Sequence, residues 1–579
     1  MNGNEAGIKE KLIELCSDFS DILPDLAPLD KRVPHAPKRV HGLDEEEIKL
    51  AVRNALRYFK PAFHPILRGE FLNELMEYGH IYMYRYRPVN IKIKAYPISL
   101  YPSETIEGAC MMHQIMNNLD YDVAQYPNEL VTYGGNGQVF SNWIQFRITL
   151  NYLSRMTSEQ TLVMYSGHPF GLFPSSSEAP RCVITNGMMI PRWSTTEQYQ
   201  KSFALGVSIY GQMTAGSWCY IGPQGIVHGT TLTLLNACRR KFGTSDLSGK
   251  VFVTSGLGGM SGAQAKAASI CGCVGVIAEA DIYHLKKRHA QGWLDEYTSD
   301  LDTIITKIRT YSAEKKSISL GYQGNIVDLW ERIAKIYVET GELLVDIGSD
   351  QTSCHDIRGG GYLPNGITSL QAKTFIASNE NLFMEKVQET LRRHIDAINT
   401  LSEGGLYFFD YGNAFLLEAG RAGADVFKTA AKKQFKYSSY VQHIMGDIFS
   451  LGFGPYRWIC TSALESDLLK TDQIAIDVLE SILESGISDE SRMQYEDNLK
   501  WIKDAHANKL VVGSQARILY TDMRVRIITY IYLVGSKERI FVSDFIFSQS
   551  LIVNVGVSLI SWNMSTGQIS VPYSQREKF

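Results

Sequence analysis

Residues 250–281 read KVFVTSGLGGMSGAQAKAASICGCVGVIAEAD. Val251, Phe252, Val253 and Thr254 form a short apolar run that predicts a buried strand. A glycine loop over 256–262 follows, then an alanine-rich stretch over 263–271 suited to a helix, and a second apolar run over 274–278. That order is one βαβ unit. The loop approximates GxGxxG with Ser261 in the third slot, and Glu279 closes the second strand. Glycines let the backbone turn tightly and approach a pyrophosphate, and the helix N-terminus offers unpaired N–H groups. An acid about 20 residues on can bind a ribose diol. The alternative is that the glycines serve only close helix packing.

Outward from this unit the alternation continues. A basic helix is expected around Lys286, Lys287 and Arg288, a helix over 328–338, and an apolar strand over 343–347 that ends in polar residues. The implied class is α/β with a mainly parallel sheet. Towards the N-terminus, residues 1–15 mix charges with apolar residues at helical spacing and show no secretion signal. Four prolines between residues 20 and 40 favour an extended lead-in. Asp44 and Glu47 make a capping box for a helix ending near Phe59; residues 102–127 read as helical, and 129–133 as a short buried strand. After Arg524 the chain turns rich in Ile, Val, Phe and Ser, with no alanine beyond Ala516. Strands, or a segment foreign to the fold, are the two explanations for that tail.

The 579 residues carry a net charge of −4 and are 45% hydrophobic, ordinary values for a globular protein of several folding units. No dense Lys/Arg block offers the footprint of a nucleic-acid binder. No apolar run reaches the ~18 residues of a membrane span. Nine cysteines, scattered without CxxC pairs, point to a reduced, cytoplasmic protein. The 13 histidines include no HExxH-like spacing, so no metal site is expected.

Several polar islands punctuate the apolar segments. Gly134-Gly135-Asn136-Gly137 follows Tyr133, where backbone amides form either a turn or an anion-binding nest. Residues 210–218, YGQMTAGSW, place amide and hydroxyl groups among small residues, as a pocket wall requires. Residues 346–356, DIGSDQTSCHD, follow an apolar strand, the position at which α/β sheets bind ligands. Cys354 and His355 are adjacent, but neighbours in extended chain point apart, which argues against a nucleophile–base pair. Gly359-Gly360-Gly361-Tyr362-Leu363-Pro364 adds a flexible turn with an aromatic. Arg457, within GPYRW, offers a planar fork for a carboxylate.

Taken together and in order, YGGNG, YGQMTAGS, GLGGMSGAQ, DQTSCH, GGGYLP, DYGNAF and GPYRW resemble the blocks of the urocanase family. The likeness runs from about residue 34 to 522 and is closer to the eukaryotic branch. It implies a Rossmann-like NAD-binding domain within a mixed α/β core formed by flanking segments. The implied division is an N-terminal extension and helical lead-in (1–83), an N-terminal core (84–212), the NAD domain (213–428) and a C-terminal core (429–579). It further implies a homodimer that adds water to urocanate, giving imidazolonepropionate in histidine degradation, with tightly bound NAD+ as electrophile.

Carried over residue by residue, the cofactor contacts fall on Gly134, Gly135, Gln212, Gly259, Met260, Ser261, Glu279, Asn325, Ile326, Gln351, Thr352, Ser353, Cys354, His355, Tyr362, Leu363 and Tyr411. Arg457 is the candidate for the urocanate carboxylate, and Tyr133 for a ring-contacting or proton-shuttling role. Bacterial relatives carry a cysteine at the position of Leu519, so no cysteine is named as catalytic here. The Asp/His-rich and glycine-rich blocks with which the family continues have no counterpart after residue 522, and residues 524–579 diverge. Two other readings therefore stand beside the first: a catalytically impaired NAD-binding homologue or dimer partner, and an NAD-linked dehydrogenase.

Overall fold

The βαβ unit forms as its pattern dictates. In the computed structural model, which describes residues 3–19, 21, 23–30, 33–185, 195–259, 261–431, 433–525, 540–543 and 559–562, the strands are Val251–Ser255 and Val274–Glu279, with the helix Ala263–Cys271 between them. Gly272, at φ +84°, ends that helix in the left-handed conformation that glycine adopts without penalty.

Two compact units make up the chain. One comprises residues 223–453 and 487–508; the other comprises 1–222, 454–486 and 509–579. The first is built on a six-stranded sheet, ordered Tyr407–Phe408, Ile347–Gly348, Val251–Ser255, Val274–Glu279, Ile318–Gln323 and Glu296–Thr298. Every pairing is parallel. Val251–Ser255 is buried throughout, which is why it reads as a continuous apolar run rather than an alternating one. The helix Ile326–Thr340 buries Ile326, Val327, Leu329, Trp330, Ile333, Ala334 and Ile336, a stripe at helical spacing.

The chain leaves Val251–Ser255 towards one edge of the sheet, through 274–279 to the edge strand 296–298 and back one place to 318–323. It then crosses back to place 347–348 on the opposite side of 251–255. The strand order reverses there, and the crevice at the carboxyl ends of such a pair is where open α/β sheets bind ligands.

The other unit is mixed. Its helices include Gly3–Cys16, Glu45–Leu56, His64–Tyr78, Ile106–Asn118 and Trp143–Ser154. Asp44 and Glu47 form the capping box. A two-stranded antiparallel hairpin joins Val131–Tyr133 to Gly137–Gln138. A three-stranded antiparallel sheet sets Gly454–Cys460 between Ala516–Thr521 and Ile540–Ser543. Leu559–Trp562 adds parallel to Cys182–Thr185 in a four-stranded sheet. Within the unusual tail the described segments 540–543 and 559–562 are thus strands. Among the described residues no helix is long and apolar enough to cross a membrane.

Some boundaries differ from expectation. The strand expected over 343–347 is reduced to Ile347–Gly348. At Asp346 the side chain accepts the Val251 N–H at 2.9 Å, so a carboxylate takes a donor that a backbone carbonyl would take in a continuing ladder. The helix expected over 102–127 spans only Ile106–Asn118, because Thr105 caps its start by accepting the Gly108 N–H. The helix expected to reach Phe59 stops at Leu56.

Candidate functional site

The parallel sheet gathers most of the predicted cofactor residues. The glycine loop with Gly259 and Ser261 follows strand 251–255. Glu279 ends strand 274–279, and Asn325 with Ile326 follows 318–323. Residues 350–355 follow 347–348, and Tyr411 follows 407–408. All therefore lie at the carboxyl ends of five parallel strands. Met260 lies outside the described residues.

Gly256 opens the loop at φ +88°, a conformation L side chains rarely adopt, and a Cβ there would sit 2.6 Å from Ser261 Oγ. Two side chains set the loop's shape. Glu279 accepts the Leu257 N–H at 2.7 Å and the Asp281 N–H at 2.9 Å, and Ser261 Oγ accepts the Gly258 N–H at 3.0 Å. Across the strand reversal, Asp350 is almost fully buried and accepts four hydrogen bonds. They come from Ser255 Oγ (2.5 Å), Thr352 N (3.0 Å), Thr352 Oγ1 (2.5 Å) and Asn413 Nδ2 (2.8 Å).

The remaining predicted residues are tied into the same end of the sheet. Asn325 caps helix Ile326–Thr340 through the Val327 N–H and donates to the Leu363 carbonyl at 2.9 Å. The Ser353 N–H donates to Gly361 at 3.0 Å, and the backbone approach is so close that a Cβ on Gly361 would lie 2.2 Å from the Ser353 carbonyl. Tyr362 is buried, with its hydroxyl 3.2 Å from Nδ1 of the buried His394. The Tyr411 hydroxyl meets Thr230 Oγ1 at 2.7 Å, and its ring stacks on Tyr440 with centroids 4.8 Å apart. Burial pushes the Asp410 carboxyl up to about 6.

Cys354 and His355 do not form a dyad. The thiol is buried, bonds Thr352 Oγ1 at 3.1 Å and is pushed well above its usual range by burial, whereas His355 is exposed. Such a thiol is no nucleophile.

The other unit holds Tyr133, Gly134, Gly135, Gln212 and Arg457. Gly134 (φ +68°) and Gly135 (φ +78°) turn the hairpin, and a Cβ on Gly134 would lie 2.5 Å from Gln212 Oε1, so this side chain lies directly on the turn. The Tyr133 hydroxyl accepts the Ala215 N–H at 3.3 Å and lies 3.2 Å from the Gln212 carbonyl and 3.0 Å from Thr214 Oγ1. Burial raises its pKa, and the positive charge of Arg457 acts in the opposite sense. The same charge acts on Tyr520 and on Cys219, whose buried thiol is pushed up to about 12. Arg457 sits mid-strand in Gly454–Cys460, opposite Ile518. Leu519 is buried opposite Tyr456, and Cys460 ends the strand with its thiol raised to about 12 by burial.

Sequence inspection missed three contributors, Arg288, His394 and Thr230. Each lies within a long or charged helix whose local pattern explains it as packing or surface, and each meets a partner 30 or more positions away. The Gly262 that follows Ser261 was the one local clue to Arg288.

Three family models match the chain. The urocanase N-terminal domain covers residues 93–219, the urocanase Rossmann-like domain 222–444 and the urocanase C-terminal domain 447–533. A urocanate hydratase of Mus musculus is 60% identical over 523 residues, covering 89% of this chain and 76% of the mouse protein. Its Homo sapiens counterpart is 60% identical over 506 residues, covering 87% and 75%. A probable urocanate hydratase of Dictyostelium discoideum is 55% identical over 502 residues, covering 86% and 74%.

Proposed function

The chain belongs to the urocanase family, and from that premise we propose that it is a urocanate hydratase, a hydro-lyase that adds water to urocanate to give imidazolonepropionate in histidine degradation. The observation that carries this reading is 60% identity over nearly nine-tenths of the chain, across all three urocanase domains. The same breadth of identity favours an active enzyme over a non-catalytic partner.

The cofactor of this reading is NAD+, and the residues present fit it. A glycine loop lies between a buried strand and a helix N-terminus, and Glu279 stands at the end of the adjacent strand. Gly259, Ser261, Asn325, Ile326, Gln351–His355, Tyr362, Leu363 and Tyr411 would hold it in this unit; Met260, Gly134, Gly135 and Gln212 belong to the same assignment. When bound, NAD+ supplies an electrophilic nicotinamide ring.

The chain's own groups bind, orient and move protons. Arg457 grips the urocanate carboxylate, since a guanidinium matches two carboxylate oxygens at once. The Tyr133 hydroxyl, held by Ala215 and Thr214, carries its proton at neutral pH as any phenol does, and burial raises its pKa further. It is thereby fit to donate to a developing negative charge. The protein acts in the cytoplasm as a homodimer in this reading; nine free thiols support the reducing compartment.

The test is the loss of urocanate's ultraviolet absorption with the purified chain, alongside mass spectrometry of the supernatant after denaturation. Turnover with NAD released and no NADH absorbance is expected. Substrate-dependent NADH would instead indicate a dehydrogenase, and bound NAD without turnover an impaired homologue.

A further inference from the structure

We propose that Arg288 is the positioning residue of the glycine loop, turning the loop's amide N–H groups to the side that receives the cofactor's phosphates. The inference rests on the reading that this unit holds a dinucleotide.

Arg288 lies in the helix Ile282–Ala290, which follows the second strand of the βαβ unit, and is 6% exposed despite its charge. Its guanidinium grips two consecutive loop carbonyls. Nε donates to Leu257 O at 3.1 Å and Nη2 to Gly258 O at 2.6 Å, while Nη1 donates to Gln291 Oε1 at 2.9 Å. The Trp293 ring lies 5.6 Å away. Gly262 shows how closely the group is seated. A Cβ on Gly262 would fall 2.1 Å from Arg288 Nε and 2.5 Å from Cζ. Gly262 has φ −58° and ψ −18°, which any residue adopts. It is therefore glycine to admit the guanidinium, not to make a turn.

The consequence follows from peptide geometry. In a trans peptide the C=O and the next N–H point in opposite directions, and no bond in the described chain is cis. With Leu257 O turned to Arg288, the Gly258 N–H points away, where Ser261 Oγ accepts it at 3.0 Å. Gly258 O is held by both Arg288 and the Gly262 N–H at 3.0 Å, so the Gly259 N–H also points away from the guanidinium. A glycine loop flips its peptides at little cost; a flip would present a carbonyl oxygen to a phosphate in place of the Gly259 N–H, or break the Gly258 N–H bond to Ser261 Oγ. Arg288 opposes that flip at two consecutive positions, and its positive charge stands behind the loop. A lysine lacks the planar fork needed to hold both carbonyls.

Exchange of bound NAD for isotopically labelled NAD+ in the purified holoenzyme tests this. Arg288→Met is expected to speed exchange on the order of tenfold to a hundredfold, the range of one charge-assisted hydrogen bond. Arg288→Lys should recover only part of the loss. As competitors of labelled NAD+, ADP-ribose should weaken in Arg288→Met while adenosine, which carries no phosphate, keeps its wild-type potency. Gly262→Ala should reproduce the fast exchange in the wild-type background and add little in an Arg288→Ala background, since the collision is then gone. Wild-type exchange in Arg288→Met, equal weakening of adenosine and ADP-ribose, or additive effects of the two substitutions would each overturn the proposal. A wild-type protein that holds no NAD would overturn the cofactor reading itself.

Discussion

The hydroxyl of Ser255 donates to a carboxylate oxygen of Asp350 at 2.5 Å, joining the carboxyl ends of two neighbouring parallel strands at the point where the sheet order reverses. Through its other oxygen Asp350 holds Thr352 and Asn413, and Asn413 in turn donates to the Thr352 carbonyl at 2.7 Å. The loop that follows strand 347–348 is thus set by one buried acid.

Asp350→Asn should release that loop. Asparagine keeps one accepting oxygen for Thr352 and Asn413 but turns an NH2 towards Ser255, whose hydroxyl proton loses its acceptor. The expected cost is about 1–3 kcal/mol, the penalty for a buried polar group left unmatched. NAD content after gel filtration should fall and the thermal midpoint should drop. Full NAD content with an unchanged midpoint would remove Asp350 from this role.

Arg457→Ala should raise KM for urocanate on the order of tenfold to a hundredfold, with Arg457→Lys intermediate because it keeps charge but not the fork. NAD content should remain at the wild-type level in both. Steady-state kinetics at constant NAD occupancy decide it, and a KM unmoved in Arg457→Ala would end the carboxylate assignment.

Glu74 predicts a pH effect on stability. Its carboxylate is buried on helix His64–Tyr78 and accepts the Met83 and Tyr84 N–H groups at 2.7 and 3.1 Å, yet burial raises it from 4.5 to about 8. With the folded value above the unfolded one, the native state holds the extra proton between those two limits. Its contribution is whole below the unfolded value and is lost as pH rises, at up to about 1.4 kcal/mol per pH unit. Urea titrations from pH 5 to 8 should show stability contributed by this group declining in the wild type, with a shallower slope in Glu74→Gln. Identical slopes would show that Glu74 is ionised in the folded protein.

The parallel sheet was legible because its signals are local. Val251–Ser255 and Val274–Glu279 are apolar runs bounded by glycines, and Ala263–Cys271 is a helix with its terminating Gly272 in place. What pattern could not show were contacts made across the chain. Arg288 belongs to a helix rich in basic residues, and nothing within it distinguishes the buried arginine from Lys286 or Lys287. The strand expected over 343–347 fails for a similar reason, since only the fold brings the Asp346 side chain to the Val251 N–H. Tyr133 and Arg457, 324 positions apart, came from family likeness; their electrostatic coupling is a property of the folded unit.

A last expectation concerns the strand that carries Leu519. Two positions before it, Arg517 is 1% exposed and meets Asp472 by a paired fork, Nε to Oδ1 at 2.9 Å and Nη2 to Oδ2 at 2.8 Å. Asp472 lies on helix Glu465–Glu484, so the pair fastens that helix to the Ala516–Thr521 strand beside Gly454–Cys460, where Arg457 sits. Removing one partner of a buried pair strands the other's charge, at a cost of roughly 3–5 kcal/mol, whereas replacing both with apolar groups of similar volume is often neutral. Asp472→Leu should therefore lower the thermal midpoint sharply, and Asp472→Leu with Arg517→Met should recover most of it. If the single and double variants melt together, the pair contributes nothing through its charge, and the attachment of helix to strand rests on apolar packing.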